Sequence, residues 1–169
     1  MKRLATVWLS VLALTLVGAG ATVAADGSYG PWEPTYQGPI TAPAGVVCSF
    51  TVTAEPVRED LRVRYHYDSA GVIDGYQASG QLFGRITNTE TGASVVRNLS
   101  GPGSVRFNSD GSWDATVAGD FLVFFRSQDS PANELLLLSG GTVLHGSPNG
   151  QKTLVSHTGQ VENLCETLG

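Results

Sequence analysis

The chain has 169 residues, 41% of them hydrophobic and 15% charged, with 15 acidic against 10 basic side chains and a formal net charge of −5. That length suits one domain with a buried core. The acidic balance speaks against nucleic acid or an anionic lipid surface as partner, because both need clustered positive charge.

Lys2 and Arg3 are followed by the uncharged apolar run Leu4–Val17 and by the small residues Val23-Ala24-Ala25. This is the layout of a cleaved signal peptide over residues 1–25. Its apolar run is short for the ~20 residues a membrane-spanning helix needs, and the sequence holds no second such run. Cleavage after Ala25 would remove two cations and leave 144 residues with a formal charge of −7 and no membrane span. The expected location is therefore extracellular. Cys48 and Cys165 are the only cysteines. In an oxidising compartment they are expected to pair, closing nearly the whole domain into one loop.

Residues 26–45 carry Pro31, Pro34, Pro39 and Pro43 around Trp32 and Tyr36. Proline at that density forbids a helix, so the segment reads as an extended arm on a single β domain spanning 46–169. Val46–Thr53 alternates with Cys48, Phe50 and Val52 on one face, and Glu55-Pro56 reads as its end. Leu61–Asp68 alternates more cleanly. Leu61, Val63, Tyr65 and Tyr67 point one way; Arg62, Arg64, His66 and Asp68 point the other. Ala70-Gly71 and Asp74-Gly75 read as turns before a strand beginning at Gln81.

From Gln81 onward, short β-branched and aromatic runs alternate with turn signals. These fall at Thr91-Gly92, Pro102-Gly103, Asp110-Gly111, Gly119-Asp120, Ser130-Pro131, Gly140-Gly141 and Pro148-Asn149-Gly150, spaced 8 to 11 residues apart. Phe121–Phe125 and Leu135–Leu138 are apolar at every position, which predicts strands buried on both faces. In Gln160–Leu168 the apolar residues Val161, Leu164, Cys165 and Leu168 fall at i, i+3, i+4 and i+7, the stripe of a short helix. The expected fold is mainly β: an antiparallel meander closing into an up-and-down, calycin-like barrel with a short C-terminal helix. A two-sheet β-sandwich is the alternative.

Arg62, Arg64 and His66 are the candidate ligand-binding residues. Side chains on one face of a strand lie ~6.6 Å apart, so two guanidinium groups and an imidazole can converge on one anion. Alternation alone also explains them, as the wet face of an amphipathic strand. His145 and His157 flank the last hairpin on opposite faces and form no metal-ligand spacing. Asn108, Asp110, Ser112 and Asp114 place oxygens at alternate positions, but a calcium loop needs glycine sixth and glutamate twelfth, and neither is present. A hairpin turn at Asp110-Gly111 fits better. No nucleophile elbow occurs, so catalytic residues are unassigned. No metal or cofactor is expected.

Cys48-Ser-Phe50, Ile86-Thr-Asn-x-x-Thr-Gly92, and Asn98-Leu-Ser-Gly-Pro-Gly103 before Asp110-Gly111 are similar to small secreted β proteins of unknown function from high-GC Gram-positive bacteria. The resemblance spans Val46–Cys165 and implies a β domain without a known activity. The residues favour a non-enzymatic secreted module that binds a small apolar or amphipathic ligand, or a cell-envelope component. One alternative is an extracellular hydrolase or barrel-type isomerase using a His–carboxylate pair. Another is a protein inhibitor acting through a loop at Asp68–Gly80.

Overall fold

The computed structural model describes residues 27–169; the leader expected over residues 1–25 lies outside the described residues. Two strands of 16 residues, β4 (Val52–Tyr67) and β5 (Ile73–Asn88), form a long antiparallel hairpin on which the other elements are laid. Three short strands of the proline-rich arm pair along the free edge of β4. They are β1 (Ser28–Tyr29), β2 (Glu33–Thr35) and β3 (Ile40–Ala42). Proline is tolerated there because an edge strand needs only one row of ladder hydrogen bonds.

On the other edge of β5 lie β6 (Ser94–Asn98) and, farther along, β7 (Gly103–Phe107). The sheet continues through β8 (Trp113–Ala118), β11 (Gly141–Gly146) and β12 (Lys152–Thr158), giving ten strands in all. A second sheet of three strands is ordered β13 (Val161–Asn163), β10 (Glu134–Leu138), β9 (Phe121–Phe125). All the strand pairs in both sheets are antiparallel.

No closed barrel is seen among the described residues. The meander order is interrupted where β9 and β10 leave the large sheet and β11 returns to pair with β8. The physical reason lies in the composition of β9 and β10: apolar at nearly every position, they need protein on both faces. Leu135 joins Phe50, Val52, Ile86, Leu164 and Leu168 in one core cluster, while Val123, Phe125, Leu136 and Leu138 join Ala115 and Leu144 in the other. Phe125, Leu135 and Leu138 are fully buried.

Local expectations change at five points along the chain. The first strand begins at Val52 instead of Val46, because Gly45 and Val46 are taken up in a turn closed by Gly45 N donating to Cys48 O. Glu55-Pro56 does not end it. Pro56 offers no N–H to the ladder and sits beside a one-residue slip between Pro56 and Arg58. The slip exchanges the faces, so Val52, Ala54 and Pro56 and then Leu61 and Val63 all look inward. Asp74-Gly75 is not a turn but part of β5, where a Cβ on Gly75 would stand 2.5 Å from Val105 O of the adjacent strand. The Asp68–Gly80 loop therefore shrinks to a tight turn, in which Asp68 Oδ1 accepts from Ala70 N and Val72 N at 2.9 and 2.8 Å.

At the C-terminus Val161 belongs to β13, and the helix α1 is limited to Leu164–Leu168. Asn163 caps it by accepting from Cys165 N at 3.0 Å. Leu164 and Leu168 point into the core, and Cys165 is disulfide-bonded to Cys48 with Cα atoms 5.3 Å apart.

Candidate functional site

The hairpin presents two faces of opposite character. Outward, Arg62, Arg64 and His66 stand on β4 as their alternation requires, but they do not converge on a shared point. Arg62 is exposed. Arg64 donates from Nε and Nη2 to Gln77 Oε1 at 2.9 and 2.6 Å. Its guanidinium also lies 4.4 Å from the ring centre of Tyr29 and 4.8 Å from that of Trp32. The arm thus covers the face that alternation left for water.

His66 Nδ1 is hydrogen-bonded to Asp74 Oδ1, and Tyr29 meets the imidazole edge-on at 4.8 Å. That hydrogen bond holds the Asp74 carboxyl below its usual range against the opposing effect of desolvation, with Arg106, 3.3 Å away, acting in the same direction as His66. Farther across the outer face, His145 Nδ1 sits 2.8 Å from Asp114 Oδ1. Hydrogen bonds from His145 and then Asn108 lower the Asp114 carboxyl. Two His–carboxylate pairs therefore exist, on β4–β5 and on β8–β11, and neither is part of the apolar cavity enclosed on the inner face.

His157 lies on the other face of the last hairpin, across from Thr142, whose Oγ1 is 3.1 Å from its Nδ1; Nε2 is buried without a partner. The oxygens of Asn108–Asp114 bond to one another. Asp110 Oδ1 accepts from Ser112 N and Oγ at 2.9 and 2.6 Å, and Asn108 Nδ2 donates to Ser112 Oγ and Asp114 Oδ2. This is the β7–β8 turn, and among the described residues no group of three or more His, Cys, Asp or Glu side chains is placed to hold a metal ion.

Inward, the hairpin meets β7, β8 and β9 around a cavity of about 310 Å³. Leu61 and Tyr76 form part of the β4–β5 wall, Val105 and Val117 extend it across β7 and β8, and Phe121 and Phe124 close it from the small sheet. The space exists because the inward positions between these side chains are occupied by Ala78, Gly103 and Ala115. Larger residues there would fill it, as they do in ordinary cores. Tyr76 stays neutral, its phenol pushed up by burial and by the nearby Tyr65. Gly103 was the available signal in the sequence: glycine within a strand segment can mark a site where a ligand or another backbone approaches closely.

No family model matches the chain, nor does any curated protein or solved structure. No helix among the described residues is long and apolar enough to cross a membrane.

Proposed function

We propose that this protein is a secreted, non-enzymatic binding module that holds a small apolar or amphipathic molecule in the cavity between the β4–β5–β7–β8 wall and β9. The observation that carries the proposal is the cavity itself: about 310 Å³, with Leu61, Val105, Val117, Phe121, Leu122 and Phe124 in its lining. Its volume stands at the small end of the range for ligand pockets. In this reading the two sheets act as the walls of an incomplete calycin-like barrel, with the arm residue Ile40 completing the lining. An extracellular setting is supported by the leader pattern of residues 1–25 and by the Cys48–Cys165 bridge.

The test is titration with a neutral, environment-sensitive dye such as N-phenylnaphthylamine. The wild-type protein should bind it saturably at one site. Ala78→Phe, which fills the cavity from β5, should weaken binding at least about tenfold with the melting temperature kept. Leu61→Phe repeats the test from β4 in case Ala78→Phe fails to fold. Saturable binding that survives both substitutions, or no binding by the wild type, would overturn the proposal.

A further inference from the structure

Two acidic residues line the cavity, Glu55 and Asp120, and no lysine, arginine or histidine does. The two acids differ in their surroundings. Glu55 is half exposed and already ion-paired, with Arg85 Nη1 3.3 Å from its Oε1. Asp120 stands in the β8–β9 turn between Gly119 and Phe121, tied to β6 and the segment after it. Its N–H donates to Ser100 O at 3.1 Å, and its Oδ2 accepts from Asn98 Nδ2 at 2.7 Å. Among the described residues no cationic side chain comes within ion-pair distance of Asp120. Arg97, which precedes Asn98 on β6, is engaged by Glu162 through two bonds of 2.8 Å. Three acids that do not line the cavity, Asp74, Asp129 and Glu162, do have cationic partners.

We infer that the cavity selects cationic amphiphiles, with the apolar body of the ligand against Leu61, Phe121, Leu122 and Phe124 and a protonated amine at Asp120. The inference rests on the binding proposal above and names the ligand class. A lone carboxylate at the edge of an apolar space favours a positive head group by charge complementarity. It disfavours a carboxylate or phosphate head, for which this wall supplies no cationic partner. Neutral alcohols fall between. Fatty acids, the obvious apolar candidates for a cavity of this size, are the class the wall rejects.

The experiment displaces bound N-phenylnaphthylamine with octylamine, octanol and octanoate at neutral pH, three molecules sharing one apolar body. Octylamine should displace the dye at a concentration about tenfold below that of octanoate, with octanol between, and the gap should narrow as salt is raised. Asp120→Asn should abolish the gap between amine and acid while leaving octanol unchanged. Glu55→Gln should alter it little, since Arg85 already balances that charge. Equal displacement by all three, or a preference for octanoate, would overturn the cationic selection and leave the binding module standing. Failure of the dye and of all three amphiphiles to bind would instead overturn the binding proposal itself. An amine preference that survives Asp120→Asn would overturn the assignment to that residue.

Discussion

Arg64 joins the arm to the body of the domain. Its guanidinium is held flat by two hydrogen bonds to Gln77 while Tyr29 and Trp32, from β1 and the segment after it, pack against it. Each cation–π contact at such a half-exposed site contributes about 0.5–1 kcal/mol. Arg64→Ala should therefore destabilise the fold by about 1–2 kcal/mol and render the 27–36 segment sensitive to limited proteolysis. Arg62→Ala should do neither, as Arg62 is exposed on the same strand. Equal effects of the two substitutions would remove Arg64 from this role. The alternation of Leu61–Asp68 made the polar stripe readable in the sequence. What covers it was not readable, because the pairing of Tyr29 with His66 and of Glu33 with Val63 joins residues some thirty or more positions apart with no pattern of their own.

At the scale of elements, the connection from β9 to β10 is organised by one buried acid. The side chain of Asp129 has no exposed surface, yet it accepts from Arg126 N at 2.7 Å and Lys152 N at 2.8 Å and lies 3.2 Å from both Arg126 Nε and Lys152 Nζ. Burial pushes its carboxyl up. The hydrogen bonds from Arg126 and Lys152 more than offset this and hold it well below the usual carboxylate range. Because the folded value lies below the unfolded one of about 3.9, ionised Asp129 contributes stability that is complete above that pH. The contribution is lost as pH falls through it toward the depressed folded value. Asp129→Asn should cost about 2 kcal/mol at neutral pH and flatten the loss of stability between about pH 5 and pH 2, measured by urea midpoints across that range. An acid limb as steep as that of the wild type would show that other carboxylates govern it. The strands on either side of Asp129 were legible because residues apolar on both faces can only be buried. The long hairpin was less so: Pro56 and Gly75 are ordinary stop signals, and only the slip in register and the close approach of β7 show why β4 and β5 run through them.

Over the whole molecule, the sequence carried the disulfide plainly and the cavity hardly at all. Two cysteines leave one pairing, whereas a cavity depends on which small residues fall opposite one another across four strands, and that register is set only on folding. The two features meet in the architecture. Cys48 lies just before β4, the strand that walls the cavity on one side. Cys165 lies in α1, which follows β13 of the small sheet that walls it on the other. The bridge spans 117 positions, so in the loop-entropy account it removes more unfolded-state freedom than most; closures of ~100 residues are credited with about 4.7 kcal/mol. Replacing both cysteines by alanine should lower unfolding free energy by about 2–5 kcal/mol. It should also increase the dependence on denaturant, because an unlinked chain exposes more surface when it unfolds. A comparable loss with that dependence unchanged would place the effect in native packing around Phe50 and Leu168 instead of in the unfolded chain. Dye binding below the transition should stay close to that of the bridged protein, since neither cysteine lines the cavity and the walls are joined independently by the Arg97–Glu162 pair and by the core around Leu135.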